Sequence, residues 1–357
     1  MNPFDKFPGL RLNGNFHSRD SILSGEFDGH LSNFDREILK FAQEIFGKNS
    51  RQLVETSGST GTPKQLTFSK KSLVQSAEAT NEYFNLDETA QALLALPMRY
   101  IAGKMMVVRA IVGQYNLVSA SPSGLPLVKS GQFDFVPLTP FQVSQSLENT
   151  PEALKKVRSV LIGGGQVSEA MRIQLNRAGI RAYASFGMTE TLSHFAISKL
   201  GDDAIDVLYH PLKNVEIKVD KRGCLKVRWA GIARRWLYTN DLVEIRGKSF
   251  IWLGRTDNLI NSGGIKVIPE RVEKRLAHLI TSPFFVGSLA HPKLGEEVCL
   301  FVEAPDHEED ISLTEIQNVL SDSPFWQPRK ILYLKQFSYT ETGKIIRKDS
   351  IALYQKG

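Results

Sequence analysis

Apolar positions recur at two different periods along the first part of the chain. Helical spacing of apolar residues extends from Ser32 to Phe46, and Ser69 can cap a second helix from about Lys70 to Tyr83. Further helices are predicted at residues 102–112, 140–148 and 168–178. Short apolar runs typical of buried strands lie at residues 52–54, 93–96, 116–118, 133–138 and 157–162. This alternation predicts a largely parallel, doubly wound α/β sheet, preceded by a loop-rich stretch before Ser32.

The periodicity changes after Val215, where short alternating strands predict an antiparallel β subdomain. These strands are expected at residues 215–219, 224–229, 242–246 and 250–253. Residues 254–257 break the pattern, and the following strands and helices predict a small α+β domain. Its expected elements are strands at 259–260, 284–289, 298–302 and 330–334 and helices at 269–279 and 313–320. We therefore predict a large domain of residues 1–253, a hinge at 254–258 and a small mobile domain of residues 259–357.

Composition and charge narrow the class of protein only a little. A chain of 357 residues, 42% of them hydrophobic, can bury a sizeable core and form two domains. The net charge of +6 is mild and suits an anionic small molecule as well as a nucleic acid. Cys224 and Cys299 fit neither a disulfide framework nor a metal site. Because the N-terminus lacks an apolar signal core and charges interrupt the most apolar window, 93–112, we predict a soluble, cytoplasmic protein.

The clearest chemical signal is the segment Thr56–Lys64, called here the Thr56 segment, which follows a predicted strand. Its hydroxyls and amides can donate to anionic oxygens, its glycines permit close backbone approach, and its lysine adds a cation. It therefore predicts polyphosphate binding, although such a match in isolation is also typical of a surface turn. A Walker A loop is excluded because Pro63 replaces its second glycine. The predicted phosphate-binding residues are Thr56, Ser57, Gly58, Ser59, Thr60, Gly61, Thr62 and Lys64.

Four further motifs follow in a fixed order. They are Ser185–Glu190 (SFGMTE), Tyr238–Asp241 (YTND), Gly254–Asp257 (GRTD) and Thr342–Arg347 (TGKIIR). With the Thr56 segment, and on this pattern of elements, they resemble the adenylate-forming superfamily of acyl- and aryl-CoA ligases, peptide-synthetase adenylation domains and luciferases. The resemblance covers residues 52–348. The region before it is shorter than in that superfamily, which implies a reduced N-terminal subdomain.

The resemblance implies a site for ATP and Mg²⁺ in the large domain. The Thr56 segment would hold the β- and γ-phosphates, and Thr189 would bind the α-phosphate. Phe186 would stack on the adenine, and Glu190 would bind Mg²⁺, which prefers carboxylate and phosphate oxygens. The opposite wall of the adenine site would be a glycine turn of Gly163, Gly164 and Gly165, and Gly187 belongs to the same nucleotide-binding motif. A core position for Phe186 and a surface position for Glu190 are the alternatives.

The remaining motifs imply a two-step ligase with a mobile lid. Asp241 would accept hydrogen bonds from the ribose, Arg255 would help to hold it, and Lys344 would assist attack of a carboxylate on the α-phosphorus. The lid would then turn about Asp257, withdraw the lysine and present the Gly263–Gly264 turn to the pantetheine arm of coenzyme A, whose thiol displaces AMP. A capping role for Asp241 and a solvated Lys344 are the alternatives.

One part of the chain looks most like the o-succinylbenzoate–CoA ligases of menaquinone synthesis: Leu96-Pro97 followed by Tyr100–Gly103, with the glycine turn and Gly187–Thr191 downstream. The second carboxylate of that acid requires a cation if it is buried. The candidates are Arg99, Lys104 and Arg109, any of which can also be a solvated surface cation. Other predicted substrate-binding residues are Tyr100, Ser193 and His194, and the alternative for His194 is a structural histidine whose hydrogen bonds are satisfied within the protein. The expected partner is thus a small aromatic carboxylic acid, with no nucleic acid and no membrane, and oligomeric state stays open.

Other functions stay open at this stage. One is a different aryl- or acyl-CoA ligase or an adenylation enzyme that loads a carrier protein, and another is a non-catalytic nucleotide-binding relative. Retention of Lys64, Glu190, Asp241, Arg255 and Lys344 argues against the last.

Overall fold

The computed structural model describes residues 2–27, 30–55, 65–127, 131–201, 206–304, 311–340 and 343–356. Its chain forms two compact units. The first unit comprises residues 1–167, 172–217 and 227–237, and the second comprises residues 168–171, 218–226 and 238–357. The predicted hinge and the domain bounds on either side of it stay a prediction.

Most helices up to Arg177 lie where the apolar spacing predicts them. They are α1 (Arg19–Ser24), α2 (Asn33–Phe46), α3 (Lys70–Phe84), α4 (Ile101–Gly113), α5 (Pro140–Asn149), α6 (Pro151–Lys155) and α7 (Glu169–Arg177). A capping box at Ser32 starts α2, and the side chain of Ser69 caps α3 as predicted. The two short helices α1 and α6 were not predicted, because neither is long enough to show a helical period.

Lys70 joins two of these helices in the interior of the first unit. Its side chain is fully buried, and Nζ donates to the carbonyl oxygens of Glu44 (2.8 Å) and Gly47 (2.7 Å). These carbonyl groups lie at the C-terminal end of α2, where no helical N–H group reaches them. The lysine therefore satisfies the end of one helix from the first turn of the next.

Parallel strands form the central part of the first unit. Its strands are β1 (Gly9–Leu12), β2 (Asn15–Ser18), β3 (Arg51–Glu55), β4 (Gln65–Ser69), β5 (Gln91–Leu94), β6 (Asn116–Ser119), β7 (Val136–Leu138), β8 (Val160–Ile162), β9 (Ala182–Gly187), β10 (His194–Leu200) and β11 (Leu208–Pro211). One sheet has the order β2-β1-β6-β5, with β6 parallel to both β1 and β5. In the other, β7, β8 and β9 are parallel and β10 and β11 continue antiparallel. The α/β prediction is confirmed, with a more mixed sheet than expected.

The prediction of a loop-rich stretch before Ser32 is wrong. Strands β1 and β2 pair antiparallel there and α1 follows directly. Asn13 and Gly14 form the turn between them with positive φ angles of 51° and 83°. An Asn-Gly pair is a strong hairpin signal, but the four-residue strands around it are too short to show alternation.

The prediction of strand β3 is confirmed, but β3 does not belong to the parallel sheet. It pairs antiparallel with β4, from Arg51 opposite Ser69 to Glu55 opposite Gln65. The Thr56 segment connects these two strands and lies outside the described residues. The expectation that this segment follows a strand of the parallel sheet is therefore wrong, because β3 belongs to a separate hairpin.

The elements from Val215 onward follow the predicted order, with strands first and then a mixture of strands and helices. They are β12 (Val215–Val219), β13 (Cys224–Trp229), β14 (Ala233–Arg246), β15 (Ser249–Arg255), β16 (Ile260–Ser262), β17 (Ile265–Val267), α8 (Pro269–Leu276), β18 (Phe284–His291), β19 (Gly295–Glu303), α9 (Leu313–Val319), β20 (Lys330–Leu334) and α10 (Arg347–Lys356). In the second unit, β17, β16, β19 and β18 form a sheet in that order, and β20 lies parallel to β19. Buried side chains from α8, α9 and this sheet form its core.

Two boundaries in this region were predicted wrongly. Strand β14 begins at Ala233, well before the predicted start at Leu242, because the polar run after Ala233 hides an exposed strand edge. Helix α8 ends at Leu276 and not at Leu279. Both cysteines are buried free thiols. Among the described residues, no helix combines the length and the apolar character needed to cross a bilayer.

Candidate active site

The glycine turn and the SFGMTE motif lie at the carboxyl ends of two adjacent parallel strands. Ile162 of β8 lies opposite Ala184 of β9, and the Ser185 hydroxyl donates to the Ile162 carbonyl oxygen at 2.9 Å. A Cβ on Gly163 would approach the Ser185 Oγ to 2.7 Å, and Gly164 has a φ of 80°. Glycine is therefore required for this close approach and for this turn. Ligands bind at such strand ends in open α/β sheets.

The ring of Phe186 lies at this edge and is half-buried. It contacts Phe195 at a centroid distance of 5.7 Å and Tyr209 at 5.1 Å, both edge-on. Edge contacts of this kind set the plane of a ring. The predicted adenine contact of Phe186 stays a prediction, as does that of the glycine turn.

Thr189 and Glu190 lie on a short 3₁₀ turn, Thr189–Thr191, which holds Glu190 exposed. The fully buried Thr191 hydroxyl lies 2.9 Å from the Met188 carbonyl oxygen and 2.8 Å from that of Ser193. The next residue, Leu192, is buried at a φ of 66°, an unusual angle for a branched side chain. Thr191 was not predicted as a site residue, although its place in the Thr-Glu-Thr run was a signal.

A buried polar cluster connects Arg109 of α4, Ser193, His194 of β10 and Thr80 of α3. Arg109 Nη2 donates to Ser193 Oγ at 2.7 Å. Ser193 Oγ lies 3.2 Å from His194 Nδ1, and His194 Nε2 lies 3.2 Å from Thr80 Oγ1. Gly187 permits this arrangement, because a Cβ there would clash with the backbone of residues 193 and 194. The structure thus brings together three predicted substrate-binding residues, Arg109, Ser193 and His194.

Burial sets the charges in this cluster. Arg109 is 2% exposed, and desolvation lowers its pKa to about 10, which still leaves it charged at neutral pH. Desolvation first, and then the charge of Arg109, lower the pKa of His194 well below its usual value, so this imidazole is neutral. Within the described part of the chain, no carboxylate lies at ion-pair distance from Arg109, and its Nε has no hydrogen-bond acceptor. A buried cation without an anion is unfavourable by roughly several kcal/mol.

The two other candidate cations differ from Arg109 in their surroundings. Arg99 is exposed and stacks on the ring of Tyr100 at 5.2 Å. Lys104 is half-buried, with Nζ 5.6 Å from the centre of the Phe41 ring. Neither has a described contact with Ser193 or His194.

The lowered pKa of His194 predicts loss of stability in mild acid. Above about pH 6.5 the histidine is neutral in both the folded and the unfolded chain. Below that pH only the unfolded chain gains the proton, so the free energy of unfolding falls by up to about 1.4 kcal/mol per pH unit. Denaturant titrations of the protein and of His194→Gln at pH 7.5, 6.5 and 5.5 measure this. We expect the stability difference between them to shift toward the variant as pH falls, and an unchanged difference would contradict the neutral buried state.

A second group of predicted residues lies together in the second unit. Asp241 and Arg255 are opposite each other on β14 and β15, and Arg255 Nη1 lies 3.3 Å from Asp241 Oδ1. Arg255 also donates twice to Asp257 Oδ2, at 2.5 and 3.2 Å. The arginine is therefore held between the predicted ribose acceptor and the predicted hinge residue.

Two further residues orient these carboxylates: Asn240 of the YTND motif and Trp252, which was not a predicted site residue. Trp252 Nε1 donates to Asp241 Oδ1 at 3.1 Å, and Asn240 Nδ2 donates to Asp257 Oδ1 at 2.8 Å. Both belong to the same β14–β15 hairpin, which places them within reach. The contacts of these two side chains follow only from the pairing of β14 with β15.

Lys344 lies on a compact turn. Its N–H donates to Thr340 Oγ1 at 3.0 Å and its carbonyl accepts from the Thr340 N–H at 2.8 Å. Gly343 has a φ of 78°, and Thr342 lies outside the described residues. The side chain is exposed, yet nearby protein atoms lower the pKa of Lys344 by desolvation, and the charge of Arg255 lowers it further. The structure thus brings this lysine into electrostatic range of the Asp241–Arg255–Asp257 group.

The Gly263–Gly264 turn connects β16 to β17. Both residues have positive φ angles, 59° and 86°, and the Gly263 N–H donates to the Leu294 carbonyl oxygen at 2.9 Å. A Cβ atom added to Gly264 would have no other atom within 4 Å, so the space beside this glycine is open. A contact with coenzyme A stays a prediction.

The expected metal, Mg²⁺, can be held by a single protein carboxylate. Mg²⁺ in nucleotide sites is usually held by one or two carboxylates together with phosphate oxygens and water. The exposed Glu190 fits that pattern. Over the described ranges, no three His, Cys, Asp or Glu side chains converge in a way that would hold a metal by themselves.

Comparisons with known proteins find relatives of this chain among AMP-binding enzymes. A profile described as AMP-binding enzyme matches residues 52–228. A 2-succinylbenzoate–CoA ligase of Enterococcus faecalis is 27% identical over 350 residues, which cover 86% of this chain and 70% of that protein. The crystal structure of o-succinylbenzoate coenzyme A synthetase from Bacillus subtilis, in complex with ATP and magnesium ion, has a TM-score of 0.73 at 21% identity and covers 84% of this chain and 69% of that one.

A solved structure matches over almost the whole chain. It is an AMP-forming acyl-CoA synthetase/AMP-acid ligase II-like protein from Dyadobacter fermentans, with a TM-score of 0.62 and 31% identity. The match covers 93% of this chain and 97% of that one. This degree of identity over nearly the full length, together with the profile match, shows that the chain belongs to the AMP-binding enzyme family of AMP-forming acyl-CoA synthetases and acid ligases.

Proposed function

We propose that this protein is an ATP-dependent ligase that activates 2-succinylbenzoate as an acyl-adenylate and transfers the acyl group to coenzyme A. The curated relatives with this activity in their names include the Enterococcus faecalis protein and one from Mycobacterium tuberculosis, 28% identical over 284 residues. A cytoplasmic location and the mobile small domain are part of the same proposal.

The observation that carries the choice of acid is the buried cluster of Arg109. A guanidinium without a carboxylate partner, beside the hydroxyl of Ser193 and a neutral imidazole, can bind an anionic oxygen and a neutral one. 2-Succinylbenzoate offers both, because the carboxylate that does not react is an anion and its ketone is a neutral acceptor. Binding of that carboxylate would repay the desolvation of Arg109, which no residue of the described chain does.

The reacting groups act by position and charge. As the carboxylate attacks the α-phosphorus, negative charge develops on the non-reacting oxygens. Thr189 would donate to these oxygens, Lys344 would offset their charge, and the Thr56 segment would hold the phosphates that leave. Glu190 would hold Mg²⁺, which neutralises charge on the phosphates when bound. Asp241 and Arg255 would hold the ribose.

ATP–pyrophosphate exchange across a panel of acids tests this function. The panel contains the dicarboxylate 2-succinylbenzoate and two monocarboxylates, 4-oxo-4-phenylbutanoate and 2-butyrylbenzoate. Each of these two keeps the ketone and a different one of the two carboxylates. Benzoate and hexanoate, which lack the ketone, complete the panel. We expect exchange with 2-succinylbenzoate to exceed that with the monocarboxylate that keeps the reacting group by about 100-fold, since loss of a buried ionic contact costs about 3 kcal/mol. The monocarboxylate that lacks the reacting group should give no exchange. Coupled formation of the CoA thioester then distinguishes a CoA ligase from an enzyme that loads a carrier protein.

Two outcomes would contradict the proposal. Equal exchange with the dicarboxylate and with the monocarboxylate that keeps the reacting group would mean that Arg109 does not bind the second carboxylate. Exchange with none of the acids would indicate a relative without this activity.

A further inference from the structure

Helix α8 carries two largely buried carboxylates in consecutive positions of one face. Glu270 is 4% exposed, and the Glu273 side chain is 16% exposed. Residues three apart on a helix are neighbours on its surface. Two acids in one buried position repel each other unless a cation joins them. The cation here is Arg347.

Arg347 meets this acidic pair from the start of α10, three residues after Lys344. Its Nη1 and Nη2 donate to the two oxygens of Glu273 at 2.6 and 2.8 Å, a bidentate pair. Nη1 also donates to the Val286 carbonyl oxygen at 3.0 Å, and Nη2 lies 3.8 Å from Glu270 Oε1. Planar bidentate pairs restrict both partners in direction as well as distance. The end of the Lys344 turn is therefore attached to α8 at a defined position.

Glu270 contacts the predicted hinge segment, residues 254–258, at both of its ends. Asn258 Nδ2 donates to Glu270 Oε1 at 2.5 Å. The backbone of Gly254 passes so close to Glu270 Oε2 that a Cβ there would clash with it. One helix thus contacts both the segment around Asp257 and the base of the Lys344 turn.

The turn also has other attachments: the Tyr339 hydroxyl donates to Glu303 Oε2 at 2.8 Å, and Ile345 packs against the buried cluster that contains Phe285. The Ile346 N–H donates to the Ser338 carbonyl oxygen at 2.7 Å, and the Ser338 N–H donates to Ser350 Oγ at 2.9 Å. These bonds join the two sides of the turn to each other and to α10. The Arg347–Glu273 pair attaches this local unit to α8 and, through the Val286 carbonyl, to β18.

We propose that Glu273 and Arg347, supported by Glu270, are positioning residues for adenylation, because they tie the Lys344 turn to the same helix that holds Asn258. The inference rests on the proposed function and on a hinge near Asp257. When the small domain turns about the hinge, α8 and the Lys344 turn then move together as one rigid unit. A misplacement of about 1 Å in a catalytic group reduces a rate by about 100-fold.

The variant Glu273→Gln tests this, because it keeps the shape of the side chain and removes its charge. We expect ATP–pyrophosphate exchange to fall about 10- to 100-fold, whereas conversion of supplied acyl-adenylate and CoA to thioester changes less than about threefold. The matched control is Arg275→Gln. Arg275 lies on the same helix, α8, and the change breaks its ion pair with Asp322 (2.7 Å). The control is expected to leave both half-reactions unchanged.

Hydrogen exchange of backbone amides gives a readout that does not depend on activity. Loss of the Glu273–Arg347 pair should reduce protection of the Lys344 and Ile346 amides by about tenfold, because the turn opens more often. In Arg275→Gln these amides should keep their protection. Exchange at β18 and β19 reports whether the unit itself stays folded.

The outcomes separate this inference from the proposed function. Unchanged protection at Lys344 and Ile346, or an equal loss in both half-reactions, would overturn the positioning role. A protein that activates none of the acids, yet loses protection at this turn in Glu273→Gln, would overturn the proposed function and support the structural attachment.

Discussion

Replacement of Lys344 with alanine is expected to reduce acyl-adenylate formation by about 100- to 1000-fold, while thioester formation from supplied acyl-adenylate changes little. A cation aimed at charge that develops in the transition state contributes about 3–4 kcal/mol in a water-excluded site. In the proposed two-step reaction, Lys344 acts only in the first step, so the loss should be confined to that step. Single-turnover measurement of AMP and of thioester formation from synthetic acyl-adenylate separates the two half-reactions.

The matched control for this variant is Lys348→Ala, an exposed lysine on the adjoining helix α10. It removes the same charge from the same region and should leave both half-reactions unchanged. If the two steps fall equally in Lys344→Ala, a lid that exchanges one face for another is excluded. If Lys348→Ala matches its effect, general attraction of the nucleotide explains the loss better than a placed cation.

Arg109→Met is expected to lower kcat/KM for 2-succinylbenzoate by about 100-fold or more, with a much smaller change for the monocarboxylate 4-oxo-4-phenylbutanoate. Loss of one partner of a buried charge pair costs about 2–5 kcal/mol, and only the dicarboxylate forms that pair. The thermal stability of the free protein should not fall, because methionine fills a similar length and removes an unpaired buried charge. Activity assays with both acids and thermal unfolding without ligand measure the two effects.

The variants Arg99→Met and Lys104→Met provide the comparison. A larger effect of either on the dicarboxylate would reassign the second carboxylate to that cation. If Arg109→Met destabilises the protein and affects both acids alike, the arginine has a structural role through Ser193 and His194. Loss of specificity at full stability is the combination that supports recognition of the substrate.

Much of the site is predictable because each motif is local. The Thr189–Glu190 turn, the glycine turn after β8 and the Gly263–Gly264 turn each depend on residue types that the chain must place within a few positions. Their order along the chain indicates the family. The contacts that orient them are different in kind. Trp252 meets Asp241 only through strand pairing, and Arg347 meets Glu273 across 74 positions of sequence.

Sequence alone determined the α/β class, the cap of α3 and the order of the motifs, since helical period, capping and turn chemistry are properties of neighbouring residues. It could not determine which of Arg99, Lys104 and Arg109 is buried. Helix α4 is apolar on nearly every side, so its period does not mark the face that meets Ser193. Only the packing of α4 against its neighbours places Arg109 beside Ser193, because burial is decided by what surrounds a helix and not by the helix itself.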